Sequence, residues 1–266
     1  MAERLIVLMS DFGLTDPWVG QMKAAIYEQN PNAKIVDLCH NLDSFDVFQA
    51  GFKLYRAYKD FPVYSVFVCV VDPGVGGKRR PILVTTENHY FVGPDNGIFS
   101  FIYKNETVRD VLHITASHYF KQPLSNTFHA RDIFAPVAAW LASGIDAIKF
   151  GDSIDDYLKL EIPEVKIEEG KIKGAVCGKD KFGNLITNIT ISNLKDYSSI
   201  TKAQNFSILI KGKEVRLVGG GYEQKIPLFA LLNSSNLIEI ASLAASAASM
   251  LNVEKVPLPV ELIATK

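Results

Sequence analysis

An α/β fold is predicted: an amino-terminal α/β domain on a largely parallel sheet (residues 1–160), then a smaller carboxyl-terminal antiparallel, β-barrel-like domain (168–266). Three observations predict it. Apolar runs of strand length alternate with helix-period segments through the first half, as in βαβ units. Beyond Pro163 the pattern changes to short strand-like segments with hairpin signals. The chain has 266 residues, 48% of them hydrophobic, enough to bury a core without disulfide staples.

In order, LIVLM (5–9) reads as the first strand, WVGQMKAAIY (18–27) as a helix, KIVDLC (34–39) as a strand, residues 45–58 as a helix and VYSVFVCVV (63–71) as the third strand. Right-handed crossovers place the strand carboxyl ends on one edge, where α/β sheets bind ligands. Asp11 follows the first strand and Asp72 the third, so both project from that edge. ILVTT (82–86) and HYFV (89–92) flank the short turn Glu87-Asn88 as a strand pair. RDIFAPVAAWLA (131–142) is helical, with Pro136 either kinking it or sitting in its first turns. After DSIDD (152–156) and Pro163 come five candidate antiparallel strands: KIKGAV (171–176), NLITNI (184–189), FSILI (206–210), EVRLV (214–218) and NLIEIA (236–241). KGK (211–213) between two of them is a hairpin signal.

A formal net charge of -1 gives no basic footprint for nucleic acid. The first apolar run is too short for a signal-peptide core or a membrane span, so a cytoplasmic protein with no membrane partner is expected. Cys39, Cys69 and Cys177 are odd in number and scattered, and read as buried thiols rather than disulfides or metal ligands. No H-E-x-x-H or paired Cys/His spacing suggests a metal, and none is expected.

Two stretches carry chemistry. VVDPGVGGKRR (70–80) puts Asp72 at the lip of a glycine-rich turn that closes on Lys78, Arg79 and Arg80; the stretch also suits a plain tight turn. TFHARDIF (127–134) puts His129 at a helix start, where it is either a capping or packing residue or a site residue. Arg131 and Asp132 beside it read as an ordinary surface pair. Taken together, Asp72, Arg79 and His129 can orient and deprotonate a small nucleophile without a metal. A carboxylate accepts a proton or hydrogen bond from water, a guanidinium favours the ionised carboxylate, and a histidine shares or relays the proton.

Six ordered motifs extend the case: SDFGLTD (10–16), NLDSFD (41–46), VVDPGVG (70–76), FVGPDNGIF (91–99), FHARDIFA (128–135) and DKFGNLITNI (180–189). Over nearly the whole chain they resemble the S-adenosylmethionine hydroxide adenosyltransferases, relatives of the fluorinase and chlorinase enzymes. The resemblance implies a hydrolase that attacks the ribose 5′ carbon of S-adenosyl-L-methionine with water or hydroxide, releasing adenosine and L-methionine. It implies Asp72, Arg79 and His129 as the catalytic trio, with Arg80 adjacent to the chosen arginine. It also puts Asp11 on the ribose hydroxyls, Phe45 in an aromatic wall, and Asp180 with Asn184 on the methionine and adenine ends. GYEQKIPLFALLNSSN (221–236) resembles the family's last ligand segment, making Tyr222 the ring on adenine and Ser234 or Ser235 a methionine contact. The chain departs from the family here: the loop after the aromatic residue is shorter, and IASLA (240–244) lacks the usual Arg-Asn or Asn pattern. The resemblance further implies a homotrimer, with the ligand between the amino domain of one subunit and the carboxyl domain of its neighbour. Without it, Asp11 is equally a helix N-cap, Phe45 a core residue and Asp180 a turn residue.

The chemistry fits the resemblance. A sulfonium is already a good leaving group, so in-line displacement needs positioning and no cofactor beyond the substrate. The alternatives are a halide-dependent adenosyl transferase and a non-catalytic nucleoside or S-adenosylmethionine binder. A fixed carboxylate beside a desolvated halide is repulsive by ~4 kcal/mol at about 4 Å. Asp72 therefore favours water.

Overall fold

A computed structural model describes residues 4–168 and 170–265. The chain divides into two units, Met1–Glu161 and Ile162–Lys266. The first contains β1 (Leu5–Ser10), α1 (Trp18–Gln29), β2 (Lys34–Cys39), α2 (Val47–Ala57), β3 (Val66–Val70), β4 (Pro81–Thr86), β5 (Tyr90–Pro94), α3 (Ser100–Asn105), β6 (Val108–Ile114), α4 (Ala135–Ala142) and β7 (Gly151–Ser153).

Its seven strands are ordered β2-β1-β3-β5-β4-β6-β7. The pairs β1–β2, β1–β3 and β3–β5 are parallel, while β4 runs antiparallel to β5 and β6, and β7 to β6. Most strands thus point one way. The sheet is covered on both faces, which is why its central strands read as unbroken apolar runs. Ile6, Leu8, Val66 and Val68 turn to one layer with Met22, Ile26, Val137 and Leu141 from α1 and α4. Val7, Met9, Phe67 and Cys69 turn to the other, with Ala50, Leu54 and Ile102 from α2 and α3. Cys69 and Cys177 are buried as expected, whereas Cys39 is half-buried.

Pro136 lies in the first turn of α4, preceded by a π-helical turn over Ala130–Phe134. Proline cannot donate to the carbonyl four residues back, so that oxygen, of Asp132, is open to another donor. The Lys121 N–H takes it at 2.8 Å, tying the segment before His129 to the helix start.

The second unit holds β8 (Lys166–Glu168), β9 (Lys171–Lys179), β10 (Leu185–Thr190), α5 (Ile191–Thr201), β11 (Asn205–Ile210), β12 (Lys213–Arg216), β13 (Leu228–Leu232), β14 (Leu237–Ser242), α6 (Ala247–Met250) and β15 (Leu258–Thr265). The order is β12-β11-β15-β9-β10-β14-β13, all antiparallel, with β8 added on β9. After β12, the Leu217 N–H donates to Phe206 O and the Val218 N–H to Ala230 O, both at 2.8 Å. One segment thereby bridges β11 and β13 and nearly closes the sheet into a barrel. The predicted hairpin is a two-residue turn, Lys211 (φ 48°) and Gly212 (φ 75°), with Ile210 opposite Lys213. Positive φ at both positions is the turn geometry that matches strand twist.

The helix α5 is absent from the sequence prediction. Thr190 caps it reciprocally with Asn193, and only Tyr197 is buried along it, so it carries little apolar periodicity. No helix among the described residues is long and apolar enough to cross a membrane.

Candidate active site

Ser10 at the end of β1 is in register with Val70 at the end of β3, so Asp11 and Asp72 emerge at neighbouring positions on one sheet edge. The turns after Asp72 fold the chain back, with the Val75 N–H donating to Asp72 O and the Gly77 N–H to Gly74 O. Gly76 has φ +73°, and a Cβ there would lie 2.0 Å from Asn126 O. Only glycine lets this loop approach the segment that carries His129 so closely.

Arg79 then meets both partners. Its Nε donates to Asp72 Oδ1 at 2.9 Å and Oδ2 at 3.0 Å, and one Nη2 donates to Asp72 Oδ2 and, at 2.9 Å, to His129 Nδ1. The Asp72 and Arg79 side chains are almost wholly buried, at 5% and 9% exposure, so their pairing is shielded from water. A guanidinium has no acceptor, so His129 Nδ1 must accept; the neutral ring carries its proton on Nε2. Burial and the Arg79 charge both hold the His129 pKa below the ordinary imidazole value. Arg79 Nη1 is also buried and has no hydrogen-bond partner among the described residues.

Arg80 points elsewhere. It donates to Asp95 Oδ2 through Nε (3.0 Å) and Nη2 (2.7 Å) and to Asp156 Oδ1 through Nη1 (2.6 Å). The geometry thus separates two adjacent arginines of identical chemistry: only Arg79 joins the acid and the imidazole.

Asp132 and Arg131 are not a surface pair. Asp132 is fully buried, takes the Ser125 N–H at 2.8 Å and the Arg131 Nε at 2.6 Å, and so fastens the loop leading to His129. His129 sits at the N-cap position of the π-helical turn, yet its ring makes no capping bond. The Arg79 contact uses it instead.

Asp72 and His129 line a cleft of about 320 Å³ together with Phe12, Trp18, Val75 and Phe128. None of these three aromatic residues stood out in the sequence. Phe12 stands between an acid and a glycine in DFG (11–13), and Phe182 precedes a glycine two positions after an acid in DKFG (180–183). That shared pattern was the available signal.

Asp11 is brought to Phe45: its Oδ2 accepts the Phe45 N–H at 3.0 Å. Phe45 has φ 67°, a left-handed conformation that costs about 1–2 kcal/mol outside glycine, and its ring is 70% exposed. It is therefore no core residue. Nor is Asp11 a helix cap, since α1 begins after Pro17 without a side-chain cap. An exposed ring held in a strained backbone by a carboxylate fits a ligand wall.

Asp180, Asn184 and Tyr222 line a second cleft of about 660 Å³ within the second unit, with Phe182 and the segment 242–246. Asp180 is a turn residue after all: Oδ1 accepts the N–H groups of Phe182 (2.9 Å) and Asn184 (2.8 Å), and Oδ2 accepts Asn184 Nδ2 at 2.9 Å. The same loop docks on the segment 244–248, where a Cβ on Gly183 would fall 2.1 Å from Ser246 Oγ. Tyr222 donates its hydroxyl to Glu239 Oε1 at 2.8 Å, a buried acid that also accepts Asn233 Nδ2 at 3.0 Å. Ser234 and Ser235 form the β13–β14 hairpin, at the other end of β14 from this cleft. They are not brought to it. Among the described residues no group of three or more His, Cys, Asp or Glu is arranged to hold a metal ion.

Comparison with known proteins matches residues 6–151 to the SAM hydroxide adenosyltransferase N-terminal domain and 174–257 to the C-terminal domain of the same family. An (R)-S-adenosyl-L-methionine hydrolase of Methanocaldococcus jannaschii is 32% identical over 260 residues, 94% of this chain and 92% of that protein. A fluorinase of Nocardia brasiliensis is 24% identical over 219 residues, 72% of this chain and 73% of that one. A crystal structure of an uncharacterized conserved protein from Thermotoga maritima superposes with a TM-score of 0.89 at 33% identity, covering 97% of this chain and all of that one. Both family domains are present in order and a relative above 30% identity spans nearly the full length, so the chain belongs to the SAM hydroxide adenosyltransferase family.

Proposed function

We propose that this protein hydrolyses S-adenosyl-L-methionine to adenosine and L-methionine, and that it acts on the (R)-sulfonium epimer for which its relative is named. The Asp72–Arg79–His129 constellation at the rim of the aromatic cleft carries this reading. Water placed between Asp72 and the 5′ carbon donates a proton to the carboxylate as its oxygen bonds to carbon. The C5′–S bond breaks with its electron pair going to sulfur, and the proton passes to solvent. Arg79 fixes the angle between acid and imidazole. His129, protonated on Nε2, donates to the attacking oxygen rather than accepting from it. Asp11 takes the ribose hydroxyls beside Phe45, Tyr222 stacks on adenine, and Asp180 and Asn184 serve the ligand's polar ends. No cofactor or metal enters these steps. The assembly is a homotrimer, which light scattering tests as three times the subunit mass.

The experiment is turnover in water enriched in the heavy oxygen isotope, using each sulfonium epimer separately. The label is expected on the 5′ hydroxyl of adenosine, with unlabelled methionine and faster consumption of the (R) epimer. Adenosine without label excludes attack by water at that carbon; a 5′-halo product as the main species in saturating halide assigns the chain to the halide chemistry instead.

The imidazole sets the pH response. His129 accepts from Arg79 only while neutral, and its lowered pKa keeps it neutral below the usual value of about 6.5. The acid limb of kcat/KM is therefore expected below pH 6.5. Stability has the same sign: the folded protein takes up this proton less readily than the unfolded chain, so its contribution is complete above about 6.5 and lost as the pH falls towards the folded value. A kcat/KM profile already falling above pH 7 contradicts this state of the ring.

A further inference from the structure

We propose that the corner formed by Phe12, Trp18 and Phe128 is the seat of the substrate's sulfonium cation, and that it selects the charged sulfur over a neutral thioether. The proposal deepens the hydrolase reading and rests on it.

The three rings line the cleft that also holds Asp72 and His129. Phe12 and Phe128 have centroids 5.9 Å apart at 69°, and Trp18 and Phe128 5.4 Å apart at 77°. Rings so inclined present faces in two nearly perpendicular directions, the arrangement that recognises methylated cations through ring quadrupoles. Phe128 already serves a cation, with Arg131 Cζ 5.0 Å from its centroid. Phe12 and Trp18 each meet Phe128 edge to face and line the same cleft. Trp18 opens α1 on the same side as Met22, Ala25 and Ile26, yet it is 42% exposed while they are buried. The ring thus runs out of the core stripe into the cleft.

The position fits the reaction. Arg79, the cation that joins Asp72 and His129, is engaged by both and does not compete for the rings. A carboxylate at the sulfur would stabilise the substrate more than the transition state, in which the sulfur's charge is fading. Aromatic faces attract the cation more weakly and exclude water. The Asp72 carboxylate takes the water proton as the sulfonium loses its charge, so apolar walls favour the step by removing the solvent that stabilised the separated charges. Once the bond breaks, methionine carries a neutral sulfur and the rings lose their attraction. The corner therefore holds substrate and releases product.

The test compares three ligands on the full-length protein by competition against substrate: adenosine, the neutral thioether S-adenosyl-L-homocysteine, and sinefungin, which carries an ammonium in place of the methylated sulfur. The wild type is expected to prefer sinefungin to the thioether. In Trp18→Leu and Phe12→Leu, which keep apolar bulk without a π face, that preference is expected to fall about 2- to 30-fold with adenosine affinity unchanged. Trp18→Phe is expected to retain most of it, which separates loss of a ring from loss of fold. An unaltered preference in both leucine variants, or an equal loss for adenosine, overturns the proposal. Failure of the wild type to bind adenosine or either analogue overturns the hydrolase reading beneath it.

Discussion

Asp72→Asn is expected to bind substrate within a few-fold of the wild type and to lose turnover by about 10²- to 10⁴-fold, the usual worth of a positioned general base. The replacement keeps the shape of the side chain and one oxygen acceptor, but removes the group that takes the proton. Asp72 contacts Arg79 through both oxygens and lines the cleft, so the loss falls on the attacking water more than on ligand contacts. The substitution also weakens a nearly buried ion pair, and breaking such a pair costs up to about 3–5 kcal/mol. Thermal unfolding must therefore accompany the kinetics, so that activity is expressed per folded molecule. Calorimetric titration with substrate beside an adenosine-release assay checks the split. An Asp72→Asn protein that binds and turns over normally removes Asp72 from the mechanism.

Much of this site was legible in the sequence because topology placed it there. Val66–Val70 is buried at every position, so the strand shows as a continuous apolar run, and the acid two residues later must emerge at the carboxyl edge. The same holds for Ser10 and Asp11. The choice between Arg79 and Arg80 was not legible from chemistry, because it depends on Asp95, which follows β5, the strand beside β3. Family resemblance chose Arg79; the hydrogen bonds give the physical reason.

Other features lacked a local signal. The second cleft is lined by 242–246, a run of serine, alanine and leucine with no ionisable group to attract attention. Glu239 reads as one polar residue in an apolar strand; its partners, Asn233 in the β13–β14 turn and Tyr222 seventeen positions away, explain it. Asp132 was misread because adjacent opposite charges are usually solvated, whereas here the missing Pro136 N–H and the Ser125 amide draw the preceding loop over it. The strand predicted from Val63 begins only at Val66, since Tyr64 takes φ 66° and its amide bonds Asn88 O.

Arg79→Lys and Arg80→Lys should separate completely, although the two residues are neighbours and the substitution conserves charge. Arg79 uses one planar fork to reach both oxygens of Asp72 and His129 Nδ1. A lysine ammonium is a point charge on a flexible stem and cannot reproduce that fork. Turnover is expected to fall about 10²-fold, the cost of misplacing the acid and the imidazole around the attacking water. Arg80 binds Asp95 and the exposed Asp156 outside the cleft, so Arg80→Lys is expected to keep turnover within about threefold and to lower the unfolding midpoint only slightly. A third variant, Arg79→Met, reads the electrostatics directly. Arg79 is one of the two main causes holding the His129 pKa down, so removing its charge should move the acid limb of kcat/KM upward, whereas Arg79→Lys should leave it nearer its place. Steady-state rates across pH 5 to 9 on all three proteins, with the unfolding midpoint of each, make the comparison. If Arg80→Lys loses turnover while Arg79→Lys keeps it, the arginine has been assigned to the wrong neighbour, and the acid–guanidinium–imidazole arrangement is scaffolding rather than machinery.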